Sequence, residues 1–188
     1  VLDDYDLEAI FAYLNPSMLY GKHLGLKGNL ETLLEQGDEK AEHLYRQVRA
    51  MEDESLAKKL LRARAVYKFF PAQARGDTIL IYNPGGTEVI EPLLFPRQVH
   101  GEGLCLSDFV APCASGKMDY VALFTVTCGH GVRDFSERYK QAGQYLRSHI
   151  VQALAIESAE AFAELLHQRL REMWGFADLP ELTMRERF

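Results

Sequence analysis

A chain of 188 residues, 47% hydrophobic and 26% charged, can bury a substantial core and fits an ordinary globular domain with a helical extension. Its net charge of −6 and pI near 5.5 argue against nucleic acid as a partner, because backbone phosphate binding draws on clustered Lys and Arg. No apolar run approaches the roughly 20 residues that cross a bilayer, and Val1-Leu2-Asp3-Asp4 lacks the features of a signal peptide, so we expect a cytoplasmic protein with no membrane partner.

Taken in chain order, Leu7 to Leu14 reads as a short helix with Asp6 at its cap, ended by Asn15-Pro16. A Gly-bearing stretch from Gly21 to Gly28 leads to Asp38, which can cap a helix carrying Ala41, Leu44, Tyr45, Val48 and Met51 on one face. Leu56 to Ala65 repeats that helical character. From Val66 the pattern turns β-branched and aromatic. Thr78 to Tyr82 and Glu88 to Leu94 flank Asn83-Pro84-Gly85-Gly86, whose composition predicts a tight turn and an antiparallel hairpin. Leu104 to Leu106 fits a short strand, and the nearly apolar Tyr120 to Thr127 fits a central strand covered on both faces.

Beyond Gly129-His130-Gly131 the chain is helical again from about Asp134, with apolar positions recurring at threes and fours from Leu146 to Leu170 and a break near Gly143. The expected fold class is α+β: an antiparallel sheet with helices at both chain ends, including a long C-terminal helix. Three portions follow from the pattern: helical residues 1–65, a sheet portion at 66–130, and the long helix and tail at 131–188.

Composition and spacing point to no catalytic constellation. Cys105, Cys113 and Cys128 cannot all pair and show no C-x-x-C spacing; six scattered histidines show no pair at helical ligand spacing, so no metal site is predicted. Glu157, Glu160 and Glu164 share one helical face, which reads either as a solvated stripe or as a carboxylate wall for a ribose or a cation. Asp6 is open in the same way, as a cap or a ligand contact. Asp108 fits an Asx-turn residue, and Phe69-Phe70 fits core better than a stacking platform.

Several segments, in order, carry a likeness. They are Phe70-Pro71-Ala72, Gly76-Asp77-x-Ile79-x-Ile81-Tyr82, Leu104-Cys105-Leu106-Ser107-Asp108-Phe109-Val110-Ala111-Pro112, Ser115-Gly116-Lys117-x-Asp119-Tyr120 and Ala159-Glu160-Ala161-Phe162-Ala163-Glu164-x-Leu166-His167, closing on Trp174-Gly175-Phe176. Together they resemble the activation domain of cobalamin-dependent methionine synthase over nearly the whole chain. The resemblance implies binding of S-adenosylmethionine and reductive methylation of cob(II)alamin to methylcobalamin, within a methyltransferase that carries methyl groups from methyltetrahydrofolate to homocysteine.

The implied partners are the cobalamin-binding domain of the same enzyme and flavodoxin or an equivalent reductase, with zinc confined to another module. The residues matching the family's ligand contacts are Asp6, Glu160 and Glu186, none of them catalytic. The family's Arg and Gly-Tyr-Pro segment does not occur by Phe188, so the chain reads as a domain truncated at its C-terminus and not active alone. Two alternatives remain: a non-catalytic docking module for a corrinoid protein, and a separate reactivation subunit.

Overall fold

In the computed structural model, which describes residues 1–187, short polar side chains open the N-terminal helices. Asp6 accepts the Glu8 N–H at 2.9 Å ahead of α1 (Leu7–Phe11), and Asn29 accepts the Thr32 N–H at 3.0 Å ahead of α2 (Leu30–Glu35). Asp38 accepts the Ala41 N–H at 2.8 Å ahead of α3 (Glu39–Lys58). Each bond satisfies a donor that the first turn of a helix leaves without a partner. The face that α3 buries contains Ala41, Val48 and Met51, as the spacing predicts. Phe188, at the end of the predicted tail, lies outside the described residues.

The helical reading of Leu56 to Ala65 holds only as far as Lys58. Lys59 adopts φ 51°, which closes the helix, and from Ala63 the chain is extended. Ala63 and Ala65 are buried while Arg62 and Arg64 are exposed, the period of two of a half-buried strand. Other elements stand where none was predicted, α2 among them. They also include β1 (Leu2–Tyr5) and a π-helical segment, Ser17–His23, in which the Leu24 N–H reaches back to the Leu19 carbonyl at 3.1 Å.

β2 (Ala63–Arg75) organises the strands. β1 pairs antiparallel with its start, Leu2 opposite Ala65 and Tyr5 opposite Ala63. β3 (Thr78–Tyr82) pairs antiparallel with its end, from Ala72 opposite Ile81 to Arg75 opposite Thr78. β4 (Val89–Leu94) returns antiparallel along β3, and the predicted turn is closed by the Asn83 N–H on the Glu88 carbonyl at 2.8 Å. Gly86 there takes φ 68°, a conformation a side chain would strain.

β5 (Asp119–Thr127) corrects the expectation of a central, doubly covered strand. Among the described residues it pairs with β2 alone, and Tyr120, Leu123 and Phe124 are exposed. An apolar run reports hydrophobicity, not the number of neighbours a strand acquires. The strand expected at Leu104 to Leu106 is also absent, replaced by a 3-10 turn at Leu106–Phe109. The Asp108 carboxylate accepts the Cys105 N–H at 2.9 Å and pairs with Arg97 at 2.8 Å, so a local side-chain bond displaces strand pairing.

The chain divides into two units, Val1–Val66 with Thr125–Phe188, and Tyr67–Phe124. In the first, Leu19 and Tyr20 of the π-helical segment, Val48 and Met51 of α3, and Ile150 and Leu154 of a long helix share one core. That helix, α5 (Tyr145–Trp174), follows α4 (Val132–Gln141) after a break at Gly143, whose φ of 73° ends α4 where the sequence places the interruption. In the second unit, Ala72, Ala74, Ile79, Ile81 and Val110 form a separate core, against which Phe70 packs. The class is therefore α+β with an antiparallel sheet, N-terminal helices and a long C-terminal helix. No helix of the described residues is long and apolar enough to cross a membrane.

One buried carboxylate in the first unit has a measurable consequence. Glu52 of α3 is ion-paired with Arg49, yet burial outweighs that partner and pushes its carboxyl up to about 6 from an ordinary 4.5. A carboxyl raised in the folded state holds its proton more tightly there than in the unfolded chain, so its contribution to stability falls as pH rises from 4.5 through about 6. Urea denaturation at pH 4.5 and 7 should show the parent chain losing about 1–2 kcal/mol across that interval relative to Glu52→Gln. Parallel profiles for the two chains would show that Glu52 is ionised without penalty.

Candidate ligand-binding site

The carboxylates of α5 share a face but occupy three different environments. Glu157 is 4% exposed and accepts a hydrogen bond from His23 Nε2 at 2.7 Å. Glu160, three residues on, is exposed and makes no hydrogen bond or ion pair among the described residues. Glu164 is half-buried with no cationic partner among them, and its carboxyl is raised above the ordinary range, first by burial and then by the charges of Glu160 and Glu157. Negative charge is therefore concentrated at Glu164 without compensation, a field that favours a cation.

Glu164 lines a cleft of about 760 Å³ together with residues 12–17 and Met184. Each wall has a local cause. Asn15 Oδ1 accepts the N–H groups of Ser17 at 3.0 Å and Met18 at 3.3 Å, which fixes the entry to the π-helical segment. The Tyr13 hydroxyl donates to Gln168 Oε1 of α5 at 2.6 Å. On the far side, Gly175 at φ 96° ends α5, and the chain turns back so that Arg171 grips Asp178 through Nε at 2.7 Å and Nη2 at 2.5 Å. The short α6 (Met184–Arg187) follows, carrying Met184 to the cleft.

The predicted residues lie on the elements that build this cleft, but none of the three is among its lining residues. Asp6 caps α1 with Oδ1, and Oδ2 has no partner among the described residues. Its place beside α5 is set by Tyr5, whose ring lies 4.8 Å from that of Phe162, two residues beyond Glu160. Glu186 is committed locally. It accepts the Thr183 hydroxyl at 2.7 Å and the Thr183 N–H at 2.9 Å, bonds that hold its carboxyl below the ordinary range.

Glu164, which spacing groups with Glu157 and Glu160 but which is not among the three residues carried over from the resemblance, is the carboxylate that lines the cleft. Its spacing of four from Glu160 was visible; its half-burial was not. A wider groove of about 890 Å³ runs along α4 and α5, but Lys140 pairs with Glu137 at its rim at 4.0 Å, and no uncompensated carboxylate faces it. Cys105 and Cys128 are buried and Cys113 is half-buried, all as free thiols, with burial pushing Cys128 up to about 12. Among the described residues no group of His, Cys, Asp or Glu is placed to hold a metal ion.

Comparison with known proteins bears on this arrangement. Residues 6–188 match the family described as the activation domain of vitamin B12 dependent methionine synthase. Among solved structures the chain is similar to a crystal structure of the MetH reactivation domain bound to AdoHcy, at 32% sequence identity and a TM-score of 0.87. The likeness covers 99% of this chain and 59% of that one, so this chain spans about three-fifths of the related structure.

Proposed function

Because the chain belongs to the activation-domain family of vitamin B12 dependent methionine synthase, we propose that it binds S-adenosylmethionine at the acidic face of α5 and serves the reductive methylation of cobalamin held by another domain of that enzyme. The observation that carries the reading is the uncompensated charge at the cleft, where a half-buried Glu164 stands beside an exposed Glu160 and neither has an ion-pair partner among the described residues. The methionine end of S-adenosylmethionine bears an ammonium and a sulfonium, two cations that such a field attracts. A related structure crystallised with AdoHcy supports the same ligand class.

Asp6 offers its free Oδ2 and Glu160 both its oxygens to those cations, while Glu186, engaged with Thr183, orders the chain around Met184. The residues that fit least are those for the ligand carboxylate. Arg169 is committed to Glu172, Arg171 to Asp178, and Arg187 to Gln168 and Pro180. Bound S-adenosylmethionine supplies a methyl group made electrophilic by its sulfonium, with the electron coming from flavodoxin or an equivalent reductase. The chain's own residues bind and orient, holding the ligand's cationic end so that its methyl is presented in one direction.

Titration calorimetry of S-adenosylmethionine into the chain, beside Asp6→Asn and Glu160→Gln, tests this. Each variant should weaken binding about tenfold, the loss of one charge-assisted hydrogen bond. A folded chain that takes up neither S-adenosylmethionine nor AdoHcy would leave a docking module for a corrinoid protein as the better reading.

A further inference from the structure

At its C-terminal end the π-helical segment Ser17–His23 is tied to α5 through two imidazoles. His149 Nε2 lies 2.8 Å from the His23 carbonyl, and His23 Nε2 lies 2.7 Å from Glu157 Oε1. Carbonyl and carboxylate oxygens accept, so both Nε2 atoms donate. His149 and Glu157 are eight residues apart, and Glu164 lies seven further on, spacings that return to one face of a helix. The face of α5 that grips one end of the π-helical segment is thus the face that delivers Glu164 to the cleft, while residues 15–17, at the other end, form the opposite wall.

We propose that His23 and Glu157 are a positioning pair for the S-adenosylmethionine site, fixing the π-helical segment and through it the distance between residues 15–17 and Glu164. This rests on the ligand reading given above. A π-helix is rare, because its wide turn is poorly packed, and it recurs where function needs a particular backbone placement. Here the segment buries Leu19 and Tyr20 in the core, so small shifts at His23 are transmitted along a rigid element and not absorbed in a loop. Neither side chain touches the cleft, so neither is assigned a direct contact with ligand.

A role limited to holding the fold makes a different prediction from a positioning role. Replacing both partners of a hydrogen bond with apolar residues of similar volume is often nearly neutral for stability, but Leu at both sites restores packing without the directed bond. The double variant His23→Leu/Glu157→Leu should melt close to the parent chain yet bind S-adenosylmethionine about tenfold more weakly in calorimetry. Glu157→Gln, whose Oε1 still accepts from His23, should bind within about twofold of the parent. His149→Ala, an exposed change that spares the core, loosens the same end of the segment and should weaken binding about threefold.

Parent-like affinity in the folded double variant overturns the positioning role. If that variant does not fold, unchanged affinity in His149→Ala overturns it instead. A tenfold loss in Glu157→Gln would also do so, by showing that charge and not the bond is what matters. Failure of the parent chain to bind is a separate result, which removes the proposed function and this inference with it.

Discussion

Phe162→Ala should destabilise the chain by about 3–5 kcal/mol in urea denaturation, the range for removing a large buried aromatic side chain from a core that relaxes only partly. Phe162 is 0% exposed, and the ring of Tyr5 lies over it at 4.8 Å with an interplanar angle of 32°. The contact does more than fill space. It joins the strand preceding Asp6 to the helix carrying Glu160, so the two predicted ligand contacts hang on either side of one aromatic pair. Phe162→Leu keeps most of the volume and should cost less than about 2 kcal/mol. A loss below about 1 kcal/mol for the alanine variant would mean that the site collapses freely around the missing ring.

Leu154→Ala should cost about 3 kcal/mol and lower the melting midpoint by roughly 6–12 °C, given the usual 2–4 °C per kcal/mol for a domain of this size. Leu154 is 0% exposed in the core that gathers the π-helical segment, α3 and α5. Leu154→Met, nearly equal in volume, should stay within about 1.5 kcal/mol of the parent. Equal losses for the two variants would show that shape at this position matters more than volume.

What the sequence revealed of the fold is what short-range chemistry controls. Asp6 and Asp38 cap the helices predicted for them; Asn83-Pro84-Gly85-Gly86 turns a hairpin; Gly143 separates two helices. What it concealed depends on partners distant in the chain. β1 is four residues with two aspartates, a strand only because Ala63 and Ala65 lie opposite. The π-helical segment gives no periodic signal that separates it from a loop.

The candidate site divides in the same way. Asp6, Glu160 and Glu186 came from family likeness, since spacing favoured a helix cap at Asp6 and a solvated stripe at Glu160, and singled out nothing at Glu186. The burial of Glu157 against His23, 134 residues away, had no trace in the sequence, nor had the half-burial that distinguishes Glu164 from its exposed neighbour Glu160.

The first unit is assembled from both ends of the chain, residues 1–66 and 125–188, with the second unit between them. Its core needs Leu19 and Val48 from the early part and Ile150 and Leu154 from the late part. During synthesis at about 5–20 residues per second, the early helices therefore wait several seconds without their apolar partners. The second unit, continuous in sequence and built on a local hairpin, can close in that interval. The early helices are then the segment most in need of a holding chaperone, and the emergence of α5 is the event that ends that need.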